Sequence, residues 1–289
     1  MPHYKSPTKV GTLTLLIQME STATNRRPRI AASSYLNTAP LIWSFVRGAQ
    51  REAVALFTDT APARCARMLA RAEVDAALVP VIEYHQLNDV SLVADVCVGS
   101  KIAVRSVVLV TRRNNLKKIE RVALDESSRT SVALVKIIFR EFLGLEPEWQ
   151  VSAPDLHSMM QQADAALIIG DPAMRISRDQ FRVFDLATLW HEFTGLGFVF
   201  AMWMVRNDCG EKVRQVDFAA ARDEGLNQLD DIVAAQTDLL SLSPQEIREY
   251  LRTNIVFQID DEMRRGLNLY FDLARKHKLI PELKPFEFI

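Results

Sequence analysis

The sequence predicts an α/β protein of two lobes with a ligand cleft between them. Apolar runs typical of strands alternate with amphipathic segments typical of helices from residue 29 onward. These segments form two separate β-α-β patterns, which favour parallel sheets with right-handed crossovers. The chain has 289 residues, which is enough for two domains.

The first β-α-β unit begins with an apolar strand at 30–33 that runs into a short polar turn and then into a helix. Asn37 or Thr38 is expected to cap this helix, and Pro40 suits its first turn, where a missing N–H costs nothing. Such a turn, at the carboxyl end of a strand and the N-terminus of a helix, favours an anionic ligand. Ser34 is a further candidate contact, and an ordinary helix cap is the alternative interpretation.

The rest of the first lobe is predicted from strands and helices with short connections. A helix opens at Pro62, and the last strand, SVVLVT, is rich in β-branched residues. The polar segment after it suggests that the chain crosses to the second lobe near residue 112. The predicted strands lie at 53–57, 75–79, 92–98 and 106–111.

The second unit repeats this order. A strand at 122–125 runs into a polar turn, and an amphipathic helix follows to Leu143, with Gly144 as its stop. The apolar strand at 198–205 is long enough to return to the first lobe. Between them the sequence predicts strands at 149–151 and 165–169 and helices at 155–162 and 185–193.

The remaining residues are predicted to be helical. One or two helices cover 211–240, with Gly225 as a possible break, and a capping box at 243–246 opens the next helix. A last helix covers 260–276. The predicted division assigns 28–112 plus 200–289 to lobe 1, 113–199 to lobe 2, and 1–27 to a disordered extension or a mis-assigned start. This is the architecture of the type II periplasmic-binding-protein class.

Composition excludes several classes of function. The chain carries 35 Lys+Arg against 36 Asp+Glu, without the basic excess of a nucleic-acid-binding protein. We expect no cofactor, because the sequence has no GxGxxG and no P-loop, and no metal site, because its histidines are scattered. We expect no membrane span, because the N-terminal apolar run at 13–17 is too short to cross a bilayer. We expect a reducing, cytoplasmic location, since the three cysteines are odd in number and lie far apart. The histidines are His3, His85, His157, His191 and His277.

The turn DESSRTS of the second unit is the more specific signal for a ligand. Its hydroxyls and the Arg129 guanidinium converge on a helix N-terminus, which suits a carboxylate. A solvated, well-capped turn is the alternative. Asp171, after the buried strand ALIIG, is predicted either to cap the next turn or to face the cleft. The hydroxyl-bearing residues are Ser127, Ser128, Thr130 and Ser131.

Five stretches of the chain form an ordered set, namely YLNTAPL, VDAALVPVIEY, LDESSRTSVAL, ALIIGDPAM and FTGLGFVFAMW. Together they resemble the chorismate dehydratase family of the futalosine route to menaquinone. They span about 29 to 206 and are specific in combination rather than singly. Gly197 departs from the family pattern, which commonly has proline after TGL, and 1–27 has no counterpart.

The resemblance implies a cytosolic hydro-lyase on a two-lobed binding-protein fold. It removes water from chorismate, a small dicarboxylate, to give 3-[(1-carboxyvinyl)oxy]benzoate without a cofactor. The resemblance also implies catalytic roles for Asn37 and Ser106. The predicted substrate-binding residues are Ser34, Ser128, Arg129, Thr130, Ser131 and Asp171. No strong general base is evident, so the substrate's enolpyruvyl carboxylate is expected to take the proton, with Asp171 as the protein alternative.

A non-catalytic solute-binding protein for a small carboxylate is the competing hypothesis. It would share the fold, but such a protein is exported, and no signal peptide is evident in the sequence. The sibling lyase of the same pathway is a third, weaker hypothesis. The predicted partner is therefore a small molecule, with no nucleic acid and no membrane, and the sequence does not define an oligomeric state.

Overall fold

A computed structural model describes residues 26–289 of the chain. The prediction for residues 1–27 therefore lies outside the described residues, apart from Arg26 and Arg27. The described strands are β1 Arg29–Ser33, β2 Ala55–Asp59, β3 Ala76–Pro80, β4 Val90–Ser100, β5 Val107–Thr111, β6 Arg121–Asp125, β7 Glu148–Ser152, β8 Ala165–Ile169, β9 Arg182–Asp185 and β10 Phe198–Arg206.

Helices connect these strands and form most of the carboxyl-terminal region. Their N-terminal ends carry the cleft turns discussed below. The helices are α1 Ala39–Val46, α2 Pro62–Ala70, α3 Thr130–Ile137, α4 Leu156–Gln162, α5 Asp171–Met174, α6 Leu186–Thr194, α7 Glu211–Arg214, α8 Phe218–Asn227, α9 Leu229–Leu240, α10 Pro244–Glu249 and α11 Asp261–Lys276. Short 3₁₀ turns lie at Leu36–Thr38, Val81–His85 and Leu116–Lys118, and π-helical turns at Ile138–Leu143 and Tyr250–Asn254.

The strands form two five-stranded mixed sheets, which confirms the two-lobed α/β prediction. The orders are β2-β1-β3-β10-β4 and β7-β6-β8-β5-β9. In the first sheet β1 is parallel to β2 and β3, and β10 runs antiparallel between β3 and β4. In the second sheet β6 is parallel to β7 and β8, and β5 runs antiparallel between β8 and β9. Each lobe therefore combines a parallel β-α-β unit with one antiparallel strand.

The two passages between the sheets are short. The first runs from the end of β4 at Ser100 to the start of β5 at Val107, and the second runs from α6 to β10. Strand β5, which the sequence-based division assigned to the first lobe, pairs in the second sheet. We therefore propose that the chain first crosses between 100 and 107 rather than at 112.

Glycine has a different role at two positions from the one its sequence context suggests. Gly225 lies inside α8 and does not break it. An added Cβ at this position would be 1.9 Å from the Pro40 carbonyl oxygen of α1. Close helix packing is therefore what requires glycine at this position. At the second passage, the Gly197 N–H donates to Glu262 Oε1 at 3.1 Å, a bond that proline would lack.

Aromatic side chains from both lobes share one core. Trp190 of α6 is fully buried and lies edge-on to Phe198 of β10 and Tyr270 of α11, with ring centroids 5.4 and 6.5 Å away. Edge-to-face pairs of this kind add to the free energy gained by burial alone. The lobes therefore pack against each other behind the cleft through buried apolar surface.

Replacing Gly225 by alanine should separate α8 from α1. We expect Gly225→Ala to lower the free energy of unfolding by about 1–3 kcal/mol through overpacking, although alanine is the better helix former by about 1 kcal/mol. Urea unfolding monitored by tryptophan fluorescence measures this change. Gly210→Ala is the matched control, because an added Cβ there meets nothing within 4 Å. Equal stability of the two variants would contradict the packing role of Gly225.

Candidate functional site

A cleft lies between the two lobes and holds a cavity of about 60 Å³. The first lobe contributes the turn after β1, and the second lobe contributes the turn after β6. Apolar side chains form much of the remaining wall, including Leu78, Val98 and Phe200. The cleft predicted between the lobes is therefore present, and both predicted turns line it.

The first-lobe turn presents the Asn37 side chain to the cleft. The Thr38 hydroxyl donates to the carbonyl oxygens of Ser33 and Tyr35, at 2.6 and 2.8 Å. Thr38 occupies the predicted N-cap position of α1, although its side chain makes no cap bond, and Asn37 lies one residue before it. The Asn37 amide, which is half-buried and lines the cleft, is therefore free of this local structural role.

The second-lobe turn brings four predicted residues together at the cleft wall. Ser128, Arg129, Thr130 and Ser131 all line the cleft at the N-terminus of α3. Ser128, Thr130 and Ser131 are buried, and the Ile82 N–H donates to Thr130 Oγ1 at 3.3 Å. Hydroxyls and helix N–H groups here form the kind of donor set that binds an anion.

One hydroxyl of this turn, that of Ser127, is hydrogen-bonded outside the cleft. The Ser127 hydroxyl donates to Asp125 at 2.6 Å, and Ser127 is not among the residues that line the cleft. Burial raises the pKa of the Asp125 carboxyl, and the bonds from Ser127 oppose that rise. The anion-binding set is therefore smaller than the four hydroxyls of the sequence suggest.

Arg129 supplies the cationic group of this turn, and a buried carboxylate lies beside it. The Arg129 Nε is 3.7 Å from Glu83 Oε1, and the arginine side chain is 48% exposed whereas that of Glu83 is 10% exposed. Burial raises the pKa of Glu83, and the charges of Arg129 and Arg67 oppose this. No sequence pattern selects Glu83, whose position beside Arg129 depends on how the two lobes meet.

Two predicted contact residues lie outside the cleft lining. Ser34 is exposed, and Ser33, one residue earlier, lines the cleft instead. Asp171 accepts the Leu36 N–H at 3.0 Å, so it joins the second lobe to the first-lobe turn. Burial raises the pKa of the Asp171 carboxyl, and this hydrogen bond opposes the rise. Both residues border a neighbouring surface depression.

Ser106 lies one layer behind the cleft wall. Its side chain is fully buried and is not among the lining residues. Its Oγ accepts the hydroxyl proton of Tyr250 at 2.7 Å. Tyr250 comes from the π-helical turn after α10, and its position in the helical tail gave no sequence signal for a place near the cleft.

Tyr35 and Gly170 both line the cleft and pack against each other. Gly170 has φ +70°, and an added Cβ there would be 2.5 Å from Tyr35 Cζ, so the ring lies directly on the glycine backbone. Burial raises the pKa of Tyr35 to about 12, which keeps its phenol protonated at neutral pH. Short polar side chains dominate the sequence pattern of this turn, whereas in the structure the aromatic ring of Tyr35 also lines the cleft.

The described residues contain no other obvious ionisable centre for chemistry. Within residues 26–289, no group of three or more His, Cys, Asp or Glu side chains is arranged to hold a metal ion. His85 packs against Phe271 with ring centroids 4.2 Å apart, and burial lowers its pKa to about 4. In the same part of the chain, no helix is both long and apolar enough to cross a membrane.

The fold and the interlobe cleft define a protein of the periplasmic-binding-protein-like class. A solved protein of Archaeoglobus fulgidus superposes with a TM-score of 0.73 at 16% identity, covering 89% of this chain and 99% of that one. A Candida albicans protein described as having the generic periplasmic binding protein fold superposes with a TM-score of 0.64 at 12% identity, covering 89% and 92%. These likenesses establish the fold alone.

Sequence comparison identifies the family. The chain belongs to the menaquinone biosynthesis family, whose sequence model matches residues 28–276. A curated relative from Thermus thermophilus, named chorismate dehydratase, is 30% identical over 228 residues, which cover 72% of this chain and 83% of the relative. The family predicted from the five sequence stretches is confirmed.

Proposed function

We propose that this chain is a chorismate dehydratase, a hydro-lyase that makes 3-[(1-carboxyvinyl)oxy]benzoate for menaquinone biosynthesis. The observation that carries the proposal is the convergence of Asn37 and the 128–131 turn on one cleft. This cleft offers uncharged donors from both lobes and an apolar wall, which suits a ring bearing two carboxylates. The name of the Thermus thermophilus relative supports the same activity.

The proposed reaction removes a proton from C3 and the hydroxyl group from C4. Loss of the C3 proton places negative charge on the ring diene and its carboxylate. Donors at the N-terminus of α3, including the Ser131 hydroxyl, are suited to stabilise that charge, because they are fixed before the reaction begins. The C4–O bond then breaks, the ring becomes aromatic, and the hydroxyl leaves as water after gaining a proton.

We infer that the enolpyruvyl carboxylate of the substrate takes the C3 proton. Asp171, the protein alternative, is engaged with the Leu36 N–H and borders the neighbouring depression rather than the cleft. Tyr35 lines the cleft, but a phenol whose pKa burial raises to about 12 is a poor base at neutral pH. On this proposal the chain supplies orientation and donors, and it needs no metal or nucleotide cofactor. A cytoplasmic location stays a prediction.

The direct test is incubation of the purified protein with chorismate. We expect chorismate to be converted to a product lighter by one water, with the NMR spectrum of a 3-substituted benzoate. The activity should survive exhaustive dialysis against a chelator, because no protein ligand set is assigned to a metal. Tight binding of chorismate by calorimetry without conversion would instead support the solute-binding hypothesis. Loss of turnover on chelation, restored by zinc, would contradict the proposed cofactor independence.

Asp171 variants test the identity of the base. Asp171→Asn keeps an acceptor for the Leu36 N–H, so we expect stability and kcat close to those of the wild type. Asp171→Ala removes the acceptor and should lower the free energy of unfolding by about 1–3 kcal/mol, since the buried N–H loses its partner. Urea unfolding and steady-state kinetics measure the two effects. A stable Asp171→Asn variant with no turnover would identify Asp171 as the base.

Asn37 variants test the proposed catalytic donor. Asn37→Ala should lower kcat by about 10²–10³, the usual effect of losing one fixed donor. Its stability should change little, because the Asn37 side chain does not cap α1. Asn37→Asp should also fold, but its charge would repel an anionic substrate and its carboxylate cannot donate. Full activity of the folded Asp variant would remove Asn37 from the mechanism.

A further inference from the structure

The π-helical turn Tyr250–Asn254 holds the first passage between the lobes at two points. The Tyr250 hydroxyl donates to Ser106 Oγ at 2.7 Å, and the Asn254 side-chain amide donates to the Ala103 carbonyl oxygen at 3.0 Å. π-helical turns are rare and frequently accompany functional sites. The carboxyl-terminal region therefore fixes the position of a segment that links the two sheets.

The held segment is also constrained from the second lobe. Arg105 adopts φ +61°, a left-handed conformation that is costly for a residue with a side chain. Its N–H donates to the Asp185 carboxylate at 2.6 Å, and the Val104 N–H donates to the same carboxylate at 3.3 Å. Such a backbone persists only where its surroundings determine it strongly. Ser106, the next residue, is therefore held between Asp185 on one side and Tyr250 on the other.

The Tyr250 hydroxyl lies at the meeting point of both lobes and the tail. Tyr250 is 1% exposed and Ser106 is fully buried, so their bond is shielded from water. The Asn37 side chain lies beside the same phenol oxygen. Burial raises the pKa of Tyr250, while Ser106 and Asn37 oppose the rise, so the phenol keeps its proton at neutral pH.

We propose that Tyr250 is a positioning residue for the reaction in the cleft. Its hydroxyl orients Ser106, and its phenol oxygen contacts the side chain of Asn37. Tyr250 donates its only hydroxyl proton to Ser106 Oγ, so the Ser106 proton must point away from the phenol. The inference rests on the proposed chorismate dehydratase activity. It adds to that activity a residue of the tail that does not itself line the cleft.

The test compares two variants that each remove one buried phenol hydroxyl. Tyr250→Phe removes the donor to Ser106. Tyr84→Phe is the matched control: Tyr84 is also 1% exposed, and its hydroxyl donates to the Pro285 carbonyl oxygen at 2.6 Å. We expect Tyr250→Phe to lower kcat roughly 10- to 100-fold with KM nearly unchanged, the scale of a small misplacement of reacting groups. Tyr84→Phe should leave kcat unchanged.

The thermal midpoint and a double-mutant cycle separate positioning from stability. Both phenylalanine variants should lose a few degrees, but only Tyr250→Phe should lose turnover. In a Ser106→Ala background, Tyr250→Phe should have little further effect on kcat, because the partner is already absent. Asn254→Ala, which releases the other contact of the same turn, is the second variant if Tyr250→Phe does not fold. It should lower kcat in the same direction.

The outcomes distinguish this inference from the proposed function. A wild-type protein without chorismate turnover removes both. A wild-type protein that converts chorismate, together with a folded Tyr250→Phe variant of unchanged kcat, overturns only the positioning role. Unchanged kcat in Asn254→Ala overturns it where Tyr250→Phe does not fold. Equal loss of kcat in Tyr84→Phe would show a general effect of buried hydroxyls and would also overturn it.

Discussion

The hydrogen bond between the Leu36 N–H and the Asp171 carboxylate brings the two lobes together at the cleft. It joins the first-lobe turn that carries Asn37 to the first turn of α5 in the second lobe. Tyr35, next to Leu36, lies against Gly170, next to Asp171, so a second contact joins the lobes at the same place. The hydrogen-bond donors of the two lobes can act on one bound molecule only while this contact holds the two turns close together.

The chemistry of the cleft depends on how few charged side chains line it. Arg129 is the only Lys or Arg side chain among the described residues that line it, and Glu83 beside it offsets part of its charge. The other hydrogen-bond donors of the cleft are hydroxyls, an amide and helix N–H groups. Such groups hold carboxylates in fixed orientations without strong point charges, which suits a substrate whose charge moves during the reaction.

Much of this arrangement is predictable from the sequence, because it depends on local patterns. The strand at 30–33, the buried strand at 165–169 and the turn at 128–131 each combine a hydrophobic period with a capping pattern. Tyr250, Glu83 and the bond made by Asp171 are different, since each depends on contacts between residues distant in the chain. Strand β9 is not predicted from the sequence, because its four residues are too few to show a clear alternation of apolar and polar side chains.

Gly197 gives the second passage between the lobes an unusual source of stiffness. The proline that the family resemblance predicts at this point would restrict the backbone in the unfolded chain as well as in the folded one. Gly197 leaves the unfolded chain free and is held only after folding, by Glu262 of α11. The rigidity of this passage therefore depends on contacts of the folded state, this bond and the one that Trp190 Nε1 donates to the Gly197 carbonyl oxygen, so it should loosen with temperature sooner than a proline hinge.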